Sequence, residues 1–229
     1  MRKNMYAIID VETAGNFEVP KIYDIAVTIC DKQGNDVDQQ NWIIEEVFKN
    51  KKLMKSAYYS KKLPLYYEML ASNPRMLVPF SQMKQELNFM LEVNDANYIT
   101  AYNLRFDMGA LKYTNYKYDY PKHGWEECKF FYDKYQYIDL WALACQTIGQ
   151  QKKFKNFVDS NGLISDKGNR KSSAEVMYAF LLQDPTFAES HTALADCEIE
   201  KEIMLKCFSM KKKYSRNTYV ANPWKLIQD

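Results

Sequence analysis

A short apolar run, Tyr6-Ala-Ile-Ile, breaks off into Asp10-Val-Glu12, and this stretch restricts the fold of the chain more than any other. If the run is a strand, Asp10 and Glu12 point to one face, because successive side chains alternate. Two like charges at the mouth of a buried strand repel each other and lose hydration. Unless both face water they require a cation or a proton between them. By itself such a triplet is equally compatible with a solvated strand end, so the rest of the chain has to decide.

Two further acidic islands do so. Asn103-Leu-Arg-Phe106-Asp107 follows the short apolar strand Tyr98–Tyr102. Asn103 stands where a helix N-cap belongs, Phe106, Ala110 and Leu111 form the buried stripe, and Asp107 falls in the first turn, where the positive end of a helix favours a carboxylate. Gly109 inside this helix costs about 1 kcal/mol against alanine, and close helix packing is the expected compensation. His191-Thr-Ala-Leu-Ala-Asp196 opens a last helix that runs from about Thr192 to Cys207. On an ideal helix His191 and Asp196 would lie about 140° apart, so they meet most readily if His191 sits in the loop before the helix.

Three acidic islands in this order resemble the DEDDh (DnaQ-like) 3'-to-5' exonuclease family. The resemblance spans about residues 5 to 208 and implies an α/β, ribonuclease H-like mixed β-sheet flanked by helices, opening with three antiparallel strands. It implies Asp10, Glu12, Asp107 and Asp196 as ligands of two divalent ions, Mg2+ or Mn2+, and His191 as the general base. It places Thr13, Ala14, Asn103 and Phe106 around the terminal nucleotide, with Phe106 packed beneath Asp107. Ala14 departs from the pattern, since many relatives carry a second threonine there.

The residue types suit that chemistry. Phosphodiester hydrolysis needs an activated water, charge stabilisation on the phosphoryl oxygens and help for a departing alkoxide, which a pair of divalent ions can supply. Such hard cations prefer carboxylate oxygens to thiolates. A histidine, with an ordinary pKa of about 6.5, is suited to take a proton at neutral pH.

Composition narrows the partners. The net charge is only +2, so contact with nucleic acid must rest on local clusters. The strongest cluster is Lys49–Tyr67, where lysines, including Lys61 and Lys62, interleave with Tyr58, Tyr59, Tyr66 and Tyr67. Such a segment suits phosphate attraction and base stacking along a single strand. An amphipathic helix whose tyrosines cover the core reads equally well. Lys152–Lys155 is a smaller basic cluster, followed by an expected hairpin through Asn161-Gly162. Ser172-Ser-Ala-Glu175 has the form of a capping box opening a helix to Leu182. Asp139 reads as a cap, and His123 as an exposed loop histidine.

One domain is expected over residues 1–210, with an insertion at about 45–70 and an exposed, loosely ordered tail at 211–229. Five scattered cysteines without a C-x-x-C pair argue against a disulfide framework or a zinc site and point to a reducing cytoplasm. No stretch approaches the roughly 18 apolar residues of a membrane span, and the N-terminal apolar run is too short for a signal-peptide core. The expected activity is 3'-to-5' removal of nucleotides from single-stranded nucleic acid, DNA favoured and RNA the close alternative. A polymerase or other replication partner fits, as no polymerase region is present. The rivals are an RNA-trimming exoribonuclease and a non-catalytic nucleic-acid-binding protein on the same fold.

Overall fold

The computed structural model describes residues 4–57, 60–119, 130–131, 134–210 and 222–228. Strand β1, Met5–Ala14, is organised by its alternation. Ala7, Ile9 and Val11 enter one apolar core while Tyr6 and Ile8 enter another, so the strand is covered on both faces and reads as a continuous apolar run. Strands β2 (Lys21–Asp31) and β3 (Asp36–Ile44) continue antiparallel to it. The turn between them is held by Asp31 Oδ1, which accepts from the amides of Gln33 at 2.9 Å and Asn35 at 3.1 Å. Strand β4 (Leu77–Val78) lies parallel to β3, β5 (Ala96–Ala101) parallel to β1, and β6 (Gln136–Asp139) parallel to β5. The order across the six-stranded mixed sheet is β4-β3-β2-β1-β5-β6.

Helices cover both faces. On the Ala7 and Ile9 side lie the one-turn helices α1 (Glu45–Phe48) and α2 (Lys51–Met54), then α3 (Leu63–Ser72), α4 (Phe80–Val93) and α5 (Leu104–Tyr118). On the Tyr6 and Ile8 side lie α6 (Leu140–Gln146), α7 (Lys152–Ser160), α8 (Ala174–Leu182) and α9 (Ala193–Ser209). Strand β1 and helix α9 are thus brought face to face, although the bond from Cys197 Sγ to the Ile8 carbonyl spans 189 residues of sequence.

Several local expectations change. Asn103 does stand before α5, but in the left-handed region, φ 67° and ψ 50°, and its side chain makes no capping bond. Asparagine tolerates this conformation, and the reversal at the strand-to-helix step is made by the main chain: the Asn103 carbonyl accepts from Phe106 N at 2.8 Å. A Cβ on Gly109 would meet nothing within 4 Å, so close packing does not explain this glycine. Ser173 rather than Ser172 caps α8, accepting from Val176 N, and Glu175 turns to the Glu189 amide at 3.2 Å instead of closing a capping box. The basic cluster at Lys152 is the first turn of α7; Asn161 is the C-cap of that helix rather than the turn of a hairpin, and the chain reverses farther on, between the bridged residues Ile164 and Arg170.

The end of the tail departs from the exposed segment expected. Pro223–Ile227 form a 3-10 turn whose Ile227 is fully buried, where a Cβ on Gly149 would lie 2.4 Å from its Cγ2. Arg170 locks it by donating to the carbonyls of Ile227 and Gln228 at 2.9 and 3.0 Å. Tyr58, Tyr59, His123, Cys128 and Lys211–Lys213 lie outside the described residues. Cys30, Cys145, Cys197 and Cys207 are buried free thiols. No helix among the described residues is long and apolar enough to cross a membrane.

Candidate active site

The acidic islands converge at the C-terminal ends of the neighbouring parallel strands β1 and β5. Asp10 and Glu12 continue the parity of Tyr6 and Ile8 and so face α9. Asp107 arrives from the first turn of α5 and Asp196 from the first turn of α9. All four line one cavity of about 230 Å³, together with Thr13, Phe106 and His191. The register of β1 against β2 shifts between Glu12 and Thr13. After that bulge Ala14 turns into the sheet core, where it is 1% exposed. Its expected place at the terminal nucleotide is therefore limited to its main chain.

Burial dominates the electrostatics. It raises Asp10 well above the ordinary carboxylate range, and the charges of Glu200, Asp107, Asp196 and Glu12 push the same way. Burial and then Asp196 lift Glu12 to about 9. Asp196 is held at about 7, mostly by burial, with Lys62 pulling it down. Burial raises Asp107 and Glu200 too. One buried oxygen on each of Asp10 (Oδ2), Asp107 (Oδ2), Asp196 (Oδ1), Glu189 (Oε1) and Glu200 (Oε2) has no hydrogen-bond partner among the described residues. Orphaned carboxylate oxygens are costly in a low dielectric, and several carboxylates lining one cavity suit a hard divalent cation. Donor atoms of Glu12, His191 and Asp196 also lie within 4.8 Å of one another. The donor set fits a hard divalent cation.

His191 occupies the loop before α9, with φ 52°, a strained value for a residue with a side chain. The conformation has a visible return: the His191 amide donates to the Asp196 carboxylate. The ring Nδ1 lies 3.6 Å from Glu189 Oε2. Burial, and then Lys62, lower the imidazole pKa. Both favour the neutral ring, the form that accepts a proton.

The lysine and tyrosine segment divides. Tyr66 is fully buried and is scaffold: its hydroxyl donates to Asp24 Oδ2 at 2.8 Å, and the same oxygen accepts from Ala193 N at 3.0 Å. Asn41 holds the other oxygen of Asp24 at 2.5 Å. A buried carboxylate on β2 thus satisfies an orphan amide at the N-terminus of α9 and fixes the helix that carries Asp196. Lys62 reaches the site loop, donating to the Ser190 carbonyl, while Lys61 beside it is exposed. Tyr67 is 58% exposed. Asn103 lines a separate cavity of about 580 Å³ with Trp141, Arg170 and Trp224, which shares Tyr102 and Ala174 with the carboxylate cavity.

Sequence reasoning missed Glu189, Glu200, Asp24 and Phe17. Glu200 stands one helical turn after Asp196, a spacing that places both on one face, and that was a usable signal. Phe17 is an aromatic in the loop after the acidic triplet; it is 76% exposed and lines the carboxylate cavity. Nothing local marks Asp24 or Glu189.

No protein-family model matches the chain, and no curated protein matches it. Solved structures do. An exonuclease I from Methylocaldum szegediense aligns over 90% of this chain and 42% of its own, with a TM-score of 0.55 and 14% identity. E. coli exonuclease I in complex with a 5cy-dT13 oligonucleotide aligns over 90% of this chain and 40% of its own, at TM-score 0.53 and 13% identity. A zinc-bound E. coli exonuclease I–ssDNA complex gives 0.51 and 12% over the same shares. The chain thus spans about two fifths of these structures, and the likeness establishes the fold, an α/β ribonuclease H-like mixed sheet flanked by helices.

Proposed function

We propose that the protein is a divalent-metal-dependent 3'-to-5' exonuclease that removes nucleotides from single-stranded nucleic acid, with DNA as its favoured substrate. The observation that carries the reading is the set of buried carboxylates from β1, α5 and α9 that line one cavity beside His191 and keep oxygens without a hydrogen-bond partner among the described residues. The solved neighbours, two of them DNA complexes, support the choice of substrate.

Asp10, Glu12, Asp107 and Asp196 would hold the divalent ions. Bound ions supply charge stabilisation to the phosphoryl oxygens, a lowered pKa for the attacking water and a counter-charge for the leaving oxygen. The rest is done by the chain. His191 takes the proton from water at Nε2, because Nδ1 is directed at Glu189. Glu189 flanks the ring, with Oε2 3.6 Å from Nδ1, and because burial raises its pKa to about 8 it borders the imidazole as a largely protonated carboxyl near pH 7 rather than as a full counter-charge. Thr13 and Phe106 border the pocket for the terminal nucleotide, and Phe17 offers a face for a base. Lys62 sets the positive edge where a phosphate would approach.

The test uses end-labelled single- and double-stranded DNA and RNA oligomers with Mg2+, Mn2+ or EDTA. Shortening from the 3' end with metal, abolished by EDTA and by a 3' block, is expected. Cutting of closed circles would make the protein an endonuclease, and a preference for RNA would move it to the RNA-trimming reading. Retention of oligomers without cleavage under every condition would leave a binding protein on this fold.

A further inference from the structure

Glu200 lies on α9 one turn after Asp196 and is 2% exposed. Side chains on a helix lean toward its N-terminus, so Glu200 reaches back over the turn that carries Asp196 and into the cavity it lines with Asp10 and Asp107. One oxygen accepts from the Tyr102 amide. The other, Oε2, is buried and has no partner among the described residues. The carboxylates of Asp107, Asp196, Glu189 and Asp10 lie close enough to bear on it. The neighbouring Lys201 gives no relief, since it is engaged with Asp36 at 2.7 Å and Glu198 at 2.5 Å. Packing alone would be served by an apolar side chain at this depth, and a buried carboxylate with an orphaned oxygen is otherwise a liability.

We propose that Glu200 is a fifth carboxylate of the metal centre, holding a divalent ion jointly with Asp10 and Asp107. The proposal rests on the metal-dependent reading of the site. It adds a ligand that the three acidic islands do not contain, on the side of the cavity lined by Asp10 and Asp107.

The test is calorimetric titration of the full chain with Mn2+ alone, together with thermal melting in EDTA, on wild type, Glu200→Gln and Glu200→Met. Glutamine keeps an acceptor for the Tyr102 amide, and methionine fills a similar volume without one. Affinity for Mn2+ should fall about tenfold or more in both variants, as it does when a ligand or its close support is removed, while the melting temperature in EDTA stays level or rises because a buried carboxyl group with an unpartnered oxygen has gone. Unchanged Mn2+ affinity in Glu200→Gln would overturn the assignment, and so would an affinity loss accompanied by a lower melting temperature in EDTA in both variants, which would mark Glu200 as scaffold. Wild type that binds no Mn2+ would instead remove the metal reading beneath it.

Discussion

Glu12→Gln should stabilise the metal-free protein while it damages the metal site. Glu12 has an ordinary pKa of 4.5 and, buried beside Asp196, one of about 9 in the folded chain. A carboxyl raised on folding contributes stability that is fully present below its unfolded pKa and is lost as pH rises through the folded value, because the unfolded chain releases the proton first. In EDTA, Glu12 alone therefore costs about 1.4 kcal/mol for each pH unit above its ordinary value. That is about 3 kcal/mol at pH 7 and about 6 by pH 9. Asp10, Asp107, Asp196 and Glu200 are raised in the same direction and steepen the wild-type slope. The glutamine variant removes one proton from that slope. The assay is urea unfolding at pH 4.5, 7 and 8.5 in EDTA and again in Mn2+. At pH 7 in EDTA the variant should be about 3 kcal/mol more stable than wild type, or about 6 to 12 °C higher in melting temperature for a chain of this size. In Mn2+ the wild type should recover its loss through ligand binding, and the variant should recover less. Wild-type stability that stays flat or rises from pH 5 to 8 in EDTA, or a variant no more stable than wild type, would refute the reasoning.

Further outcomes can be checked by standard kinetics and stability measurements. His191→Ala should keep Mn2+ binding within severalfold and lose on the order of 10² to 10⁴ in kcat, the usual worth of a positioned base, with the acidic limb of the pH profile flattened; loss of metal binding instead would make His191 a ligand. Phe17→Ala should raise KM for single strands by the equivalent of about 1 to 3 kcal/mol, the worth of one stacked base, with kcat nearly unchanged; a fall in kcat alone would place Phe17 in the chemistry. Tyr66→Phe should cost about 1.5 to 3 kcal/mol of stability by removing a hydrogen bond to a buried carboxylate and should lower kcat through the loosened start of α9, whereas full activity and stability would show that Asp24 needs no such donor.

The acidic islands and their elements were legible because each depends on its neighbours in sequence. Alternation around Tyr6–Ile9 specified a strand and put Asp10 and Glu12 on one face. The apolar stripe after Asn103 specified a helix with Asp107 in its first turn. His191 fell in the loop before its helix because a five-residue offset from Asp196 leaves few other ways for both to meet. Local pattern did not reach the main-chain turn at Asn103, the bulge that sends Ala14 into the core, or the open space around Gly109, since each depends on what lies across the gap rather than along the chain.

The contents of the site beyond those islands were decided in three dimensions. Asp24 caps a helix 169 residues away, and the lysine and tyrosine segment resolves into a buried clamp at Tyr66 and a cation at Lys62 only once α3 is set against the sheet and the Ser190 loop. In the sequence Glu200 is legible only as a second carboxylate on the Asp196 face of a long helix. Its burial against the acidic end of β1 turns it into a carboxylate with an orphaned oxygen. Periodicity in a sequence reports which face of an element is apolar. Whether a charge on that face meets water, a partner or a cation depends on the other elements packed around it, and a charge's free energy varies far more with those surroundings than with its own position along the chain.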